Sequence, residues 1–164
     1  MAHKAIFGLG AAFMLAVSSS ALAQSDTDFV KDVIQMNLAE IEMGQLAQAN
    51  GGSDEVKAFG RKMVEDHTTA NQEAVTLATA AGVTPPTEPP ADAKKAHDEL
   101  AGLSGSDFDR AFAKHMVQDH QKAAGMFTDK ADDGDDPVSQ FAEKTLPVIQ
   151  QHLDAAKALP GASG

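Results

Sequence analysis

His67, His120 and His152 stand in related surroundings. Residues 58–67 read Ala-Phe-Gly-Arg-Lys-Met-Val-Glu-Asp-His, and residues 111–120 read Ala-Phe-Ala-Lys-His-Met-Val-Gln-Asp-His. Ala, Phe, Met, Val, Asp and His recur at a constant offset of 53, and Ala70 matches Ala123 in the same way. Phe141-Ala142-Glu143-Lys144 repeats the opening a third time, with His152 eleven residues after its Phe rather than eight. Both intervals are close to whole turns of 3.6 residues, so each histidine falls near the helix face of its own phenylalanine. Neutral imidazoles on apolar stripes lose hydration on burial, a cost that needs a compensating partner. A divalent transition metal is one such partner.

Glu40 shares a stripe with Met36, Met43 and Ala47 on an earlier helix. A buried carboxylate likewise needs a donor or a cation. Glu40, His67, His120 and His152 together offer one inward ligand from each of four helices, a set suited to zinc, iron, manganese or copper. The competing reading is a structural cluster in which these groups bond to one another. Asp66 and Asp119, each next to a histidine, could orient the ligands or bind directly. Adjacent helix residues point about 100° apart, so both members of an Asp-His pair cannot face one point equally. Asp119 lies nearer than His120 to the centre of its helix's apolar stripe, which leaves that choice open.

Four amphipathic segments must position these groups. The first spans about 27–49, with Phe29, Val33, Met36, Met43 and Ala47 on one stripe, a Ser25/Asp28 cap pattern and Asn50-Gly51-Gly52 at its end. The second starts at Ser53, carries Val56, Phe59, Met63, His67, Ala70, Ala74 and Leu77, and stops near Gly82. Thr84 to Pro90, with four prolines, is an extended connector. A short helix over about 91–100 follows. The third long helix is expected to be capped by Ser106 with Asp109, and carries Phe108, Phe112, Met116, Asp119, Ala123 and Met126. Asp136-Pro137 opens the fourth, which carries Val138, Phe141, Ile149, His152 and Ala156, with a kink expected at Pro147. No segment alternates as a half-buried strand does. The expected fold is therefore all-α, a four-helix bundle with an extra short helix in the Pro-rich central connection. His97 and His115 are read as surface residues, with His97 outside the cluster. Asp129, Asp133 and Gly134 match a calcium loop at three positions, but Ala131 and Gln140 stand where ligands matter most, so an acidic helix end is the better reading.

The first 23 residues hold Lys4, an apolar run from Ala5 to Val17 and Ala21-Leu22-Ala23, the three parts of a secretory signal. Residues 1–23 are read as a leader cleaved after Ala23, making Gln24 the mature N-terminus and the periplasm the destination. Residues 24–159 are then the bundle domain, and 160–164 a flexible tail. The run is too short for a bilayer about 30 Å thick, so no membrane span remains after cleavage. Lys4 is the leader's one charge, so the formal charge of −11 for the whole chain becomes −12. That balance argues against nucleic acid or anionic lipid as a partner. Without cysteine, any metal site must draw on His, Asp and Glu.

Ala39-Glu40-Ile41-Glu42-Met43-Gly44-Gln45-Leu46-Ala47, Phe59-Gly60-Arg61-Lys62-Met63-Val64-Glu65-Asp66-His67, Phe108-Asp109, Met116-Val117-Gln118-Asp119-His120 and Leu146-Pro147-Val148-Ile149-Gln150-Gln151-His152-Leu153 resemble the bacterial domain-of-unknown-function family numbered 4142. The resemblance covers about 27–159. It implies a ferritin-like bundle in a Gram-negative envelope and supplies no reaction. Di-iron ferritin-like proteins carry Glu-x-x-His on two helices, and no Glu here is followed by His three residues later. Oxidase or iron-storage chemistry is therefore not expected, and no catalytic residue is nominated. Two functions from different classes remain: a metal-binding bundle in metal handling or stress protection, and a non-catalytic envelope interaction module with a structural histidine cluster and an unidentified protein partner. An enzyme using the His/carboxylate cluster for acid–base work ranks third. Oligomeric state is not legible in the sequence.

Overall fold

The structure, a computed structural model, describes residues 22–162, so most of the expected leader and residues 163–164 lie outside the described residues. Five helices follow one another: α1 (Gln24–Asn50), α2 (Asp54–Ala80), α3 (Ala91–Ala101), α4 (Gly105–Ala131) and α5 (Pro137–Ala158). No strand occurs among the described residues. α1 packs chiefly on α2 and α4 on α5, each pair joined by a short turn, while α3 lies in the long connection between the pairs. Gly51 and Gly105 form an isolated parallel bridge, which sets the start of α4 beside the α1–α2 turn. α2 and α4 therefore run the same way, the arrangement that one long crossover gives a four-helix bundle.

Two helices start where expected, and each start carries a side-chain cap. Ser53 Oγ accepts from the Val56 amide, and the Asp136 carboxylate accepts from the Val138 and Ser139 amides at the Pro137 start of α5. The other two expectations are corrected. Ser25 and Ser106 lie inside their helices, whose N-caps are Ala23 and Ser104 without side-chain capping bonds. Asp109 instead reaches across the bundle, accepting from the amides of Gly52 (2.8 Å) and Ser53 (2.9 Å). Orphan amides near a helix start attract a carboxylate, and a tertiary pairing that satisfies two of them displaces the local cap. Asn50 Nδ2 donates to the carbonyls of Ala101 and Leu103 at the same end. At the opposite end the buried Lys130 pairs with Asp26 and Asp133. These ties fix the height of α4 against α1 and α2. α5 continues unbroken through Pro147. Residues 160–162 form a turn, with Ala162 packed against the core.

Gly44 and Gly60 mark the closest approach of α1 to α2. A Cβ on Gly44 would lie 2.7 Å from the Gly60 carbonyl, and one on Gly60 2.6 Å from the Gly44 carbonyl. Backbone atoms cannot swing aside, so Gly44→Ala is expected to destabilise the fold by about 1–3 kcal/mol through overpacking. Urea unfolding with an unchanged slope would measure it.

The core is divided. One apolar cluster includes Val30, Ile34, Ala74, Ala78, Phe127 and Phe141; the other includes Met43, Met63, Phe108, Phe112, Met116 and Ala156. Asn37, Glu40, His67, His120 and His152 fall between them in sequence on every long helix and are buried. The bundle has a polar waist.

Candidate metal centre

All three histidines reach the waist from mid-helix or later, His67 on α2, His120 on α4 and His152 on α5, with 7 %, 2 % and 3 % of their surface exposed. Their ring centroids lie 5.3–5.9 Å apart. Phe59 closes one side, with its ring centre 6.5 Å from that of His120 and 6.1 Å from that of His152. One nitrogen from each imidazole lies within 4.8 Å of the others. Two metal–imidazole bonds of about 2.0–2.1 Å span at most about 4.2 Å, so a small side-chain shift brings the three rings to one shared ion.

Hydrogen bonds fix which nitrogen each ring presents. His67 Nδ1–H donates to Asn37 Oδ1 (2.8 Å), His120 Nδ1–H to the Met116 carbonyl (2.9 Å), and His152 Nε2–H to Asp66 Oδ2 (2.7 Å). The opposite nitrogens, His67 Nε2, His120 Nε2 and His152 Nδ1, are buried and have no partner among the described residues. In a neutral imidazole whose N–H is already used, the second nitrogen is an acceptor lone pair. No bond joins one histidine to another. Three buried rings thus meet at the waist, each with one unpartnered nitrogen and the other held by an acceptor, as metal-bound histidines are.

Electrostatics keep these rings neutral. Burial lowers the His67 pKa well below the ordinary value, with repulsion from His120 and His152 adding to it. Burial likewise takes His120 down to about 4 and lowers His152 against the pull of Asp66. Burial pushes Asp66 upward, but its bonds from Lys62 and His152 outweigh that and leave it below the carboxylate norm. Glu40 is raised to about 8 by burial and then by Asp119. Its Oε2 has no partner, and it lines the same cavity of about 20 Å³ as the three rings. That volume exceeds what one water needs, about 10–15 Å³. Glu40 does not fall within the 4.8 Å group that the histidines form.

A family model described as a domain of unknown function, DUF4142, matches residues 12–159. The chain belongs to the DUF4142 family. The DUF4142 bundle is also similar to a crystal structure of a DUF305 fragment from Deinococcus radiodurans, at 12 % identity and a TM-score of 0.75 over 84 % of this chain and 96 % of that one. The fold is ferritin-like. No curated protein matches the sequence.

Within this DUF4142 fold the ambiguity on α4 is resolved. His120 is buried, whereas the Asp119 side chain is 42 % exposed and pairs with His115 at 3.1 Å. Asp66 and Asp119 are repeat mates with different roles, since Asp66 faces α5 and Asp119 faces away from the rings. His97 and His115 are partly exposed at the surface as expected, His97 on α3 and outside the cluster, His115 against Asp119. Asn37 was not singled out by the sequence, although an amide one turn before Glu40 on an apolar stripe is a readable signal.

Proposed function

We propose that the bundle holds one divalent transition-metal ion on His67 Nε2, His120 Nε2 and His152 Nδ1, and that it serves metal handling or stress protection in the bacterial periplasm. The observation that carries this reading is the meeting of three buried imidazoles, each with one unpartnered nitrogen and the other anchored. A nitrogen-only set suits zinc or copper, with iron or manganese favoured where a carboxylate joins. Asn37, the Met116 carbonyl and Asp66 hold the rings in the tautomers that present those lone pairs. Glu40 is the candidate fourth ligand from the cavity wall. When bound, the ion would supply a positive charge, and for iron or copper an electron-transfer couple, inside an apolar shell. The leader read in residues 1–23 supports export, and no described helix is long and apolar enough to cross a membrane.

Asp66 gives the test. Asp66→Asn keeps the shape but removes the charge behind His152, and such partners typically contribute 10–100-fold to metal affinity. Zinc titration of chelator-treated protein is expected to show one site per chain in both forms, about 10–100-fold weaker in the variant. Equal affinity would sever Asp66 from the centre.

A further inference from the structure

A second, larger cavity of about 370 Å³ opens on the other side of Glu40, between α1, α3 and α4. Glu40, Met36 and Ala123 line both cavities, so Glu40 stands in the wall that separates this groove from the three rings. Four carboxyl groups line the groove, from Asp32, Glu40, Asp92 and Asp119, together with His115 and a single cation, Lys122. An acidic lining alone would describe any solvated face of a chain this negative. Glu40 sets this one apart, because its carboxyl is 4 % exposed and its Oε2 is unpartnered. His115 and Asp119 add a second feature. They are the repeat mates of Lys62 and Asp66, which pair at 2.6 Å on α2, where Asp66 meets His152 of α5 outside the groove. The repeat thus puts a lysine, which repels cations, in one copy and an imidazole, which can accept one, in the copy that faces the groove.

We propose that this groove captures the hydrated divalent cation from solvent and delivers it past Glu40 to the three histidines. The proposal rests on the metal-binding reading above. The volume is large enough for an ion with its water shell, and net negative charge in a low-dielectric cleft raises the local concentration of cations. Asp119 and His115 form the outer contact, Asp32 and Asp92 add long-range attraction, and Glu40 is the group the ion meets on its way in. His67, His120 and His152 stay the thermodynamic endpoint.

Stopped-flow absorption with cobalt(II) as the probe tests it on the chelator-treated mature chain. The double variant H115Q/D119N is expected to load at least about tenfold more slowly, within the range that electrostatic focusing commands. It should still reach one cobalt per chain with the same final spectrum, which shows that the centre is folded and intact. Asp129→Asn removes a like charge from the exposed end of α4, away from the groove, and should load at the unmodified rate. An unchanged rate in H115Q/D119N, or equal slowing in Asp129→Asn, overturns the proposal. Absence of cobalt uptake by the unmodified protein removes the centre itself, and the groove's role with it.

Discussion

Zinc added to chelator-treated protein at about a thousandfold above its dissociation constant is expected to raise the melting temperature by on the order of 10 °C. Binding to the folded state alone contributes about 4 kcal/mol at that excess, and a domain of this size gains a few degrees per kcal/mol. His120→Leu should abolish the rise. The same substitution should leave the melting temperature under chelator unchanged or higher. The reason is that His120 Nε2 is buried without a partner, a state that costs about 1–3 kcal/mol, and leucine fills similar space without that cost. The Met116 carbonyl loses only its side-chain donor. A structural hydrogen-bond cluster predicts the reverse pattern, with a loss under chelator and no response to zinc. Differential scanning calorimetry with and without metal separates the two.

The second large effect is on pH. Without metal, stability is expected to peak near pH 6.5 and to fall on both sides. The three histidines have folded-state pKa values below the ordinary 6.5, His120 at about 4. As pH falls below 6.5 the unfolded chain takes up protons that the folded chain refuses, so their contribution is lost on acidification. Glu40 works in the opposite direction. Its folded pKa of about 8 lies above the ordinary 4.5, so its contribution is complete below 4.5 and is lost as pH rises toward 8. Asp119, also raised chiefly by burial, shares that sign at the acidic end of the window. Between about 4.5 and 6.5 three histidines outweigh one glutamate, and above 6.5 Glu40 acts alone. Each proton counts for about 1.4 kcal/mol per pH unit, which makes the alkaline loss on the order of 2 kcal/mol by pH 8. Glu40→Gln should flatten that limb and leave the acid limb in place. Saturating zinc should flatten it too, because a dication beside the carboxyl favours its charged form. Urea titrations across pH 4–9 measure both limbs.

Much of the waist was legible in the sequence because the duplication repeats one geometry. Phe59 and Phe112, and His67 and His120, carry the same helix register, and a register fixes which face a side chain takes. The four long helices, their Pro-rich crossover and the Asp136-Pro137 start follow from local rules that tertiary packing did not override. Burial on α4 was harder to read. The apolar stripe drawn through Asp119 and Met126 treats the helix as straight and isolated, whereas the buried face runs Phe108, Phe112, Met116, His120, Ala123, Phe127. Successive steps of four carry that face around the axis by about 40° each, and only the neighbouring helices determine how far it turns. The true role of Asp109 fails to show in sequence for a related reason: its partners, the Gly52 and Ser53 amides, lie more than fifty residues back in the chain, so spacing along one helix holds no trace of them.

Metal content bears most directly on the three-histidine centre. Untagged protein purified from its native envelope without chelator, analysed for transition metals and protein together, is expected to contain about one ion per chain, in line with the one three-histidine group among the described residues. H120L from the same source is expected to contain none. A folded protein that arrives without metal and takes up neither zinc, copper, iron nor manganese on titration contradicts the account.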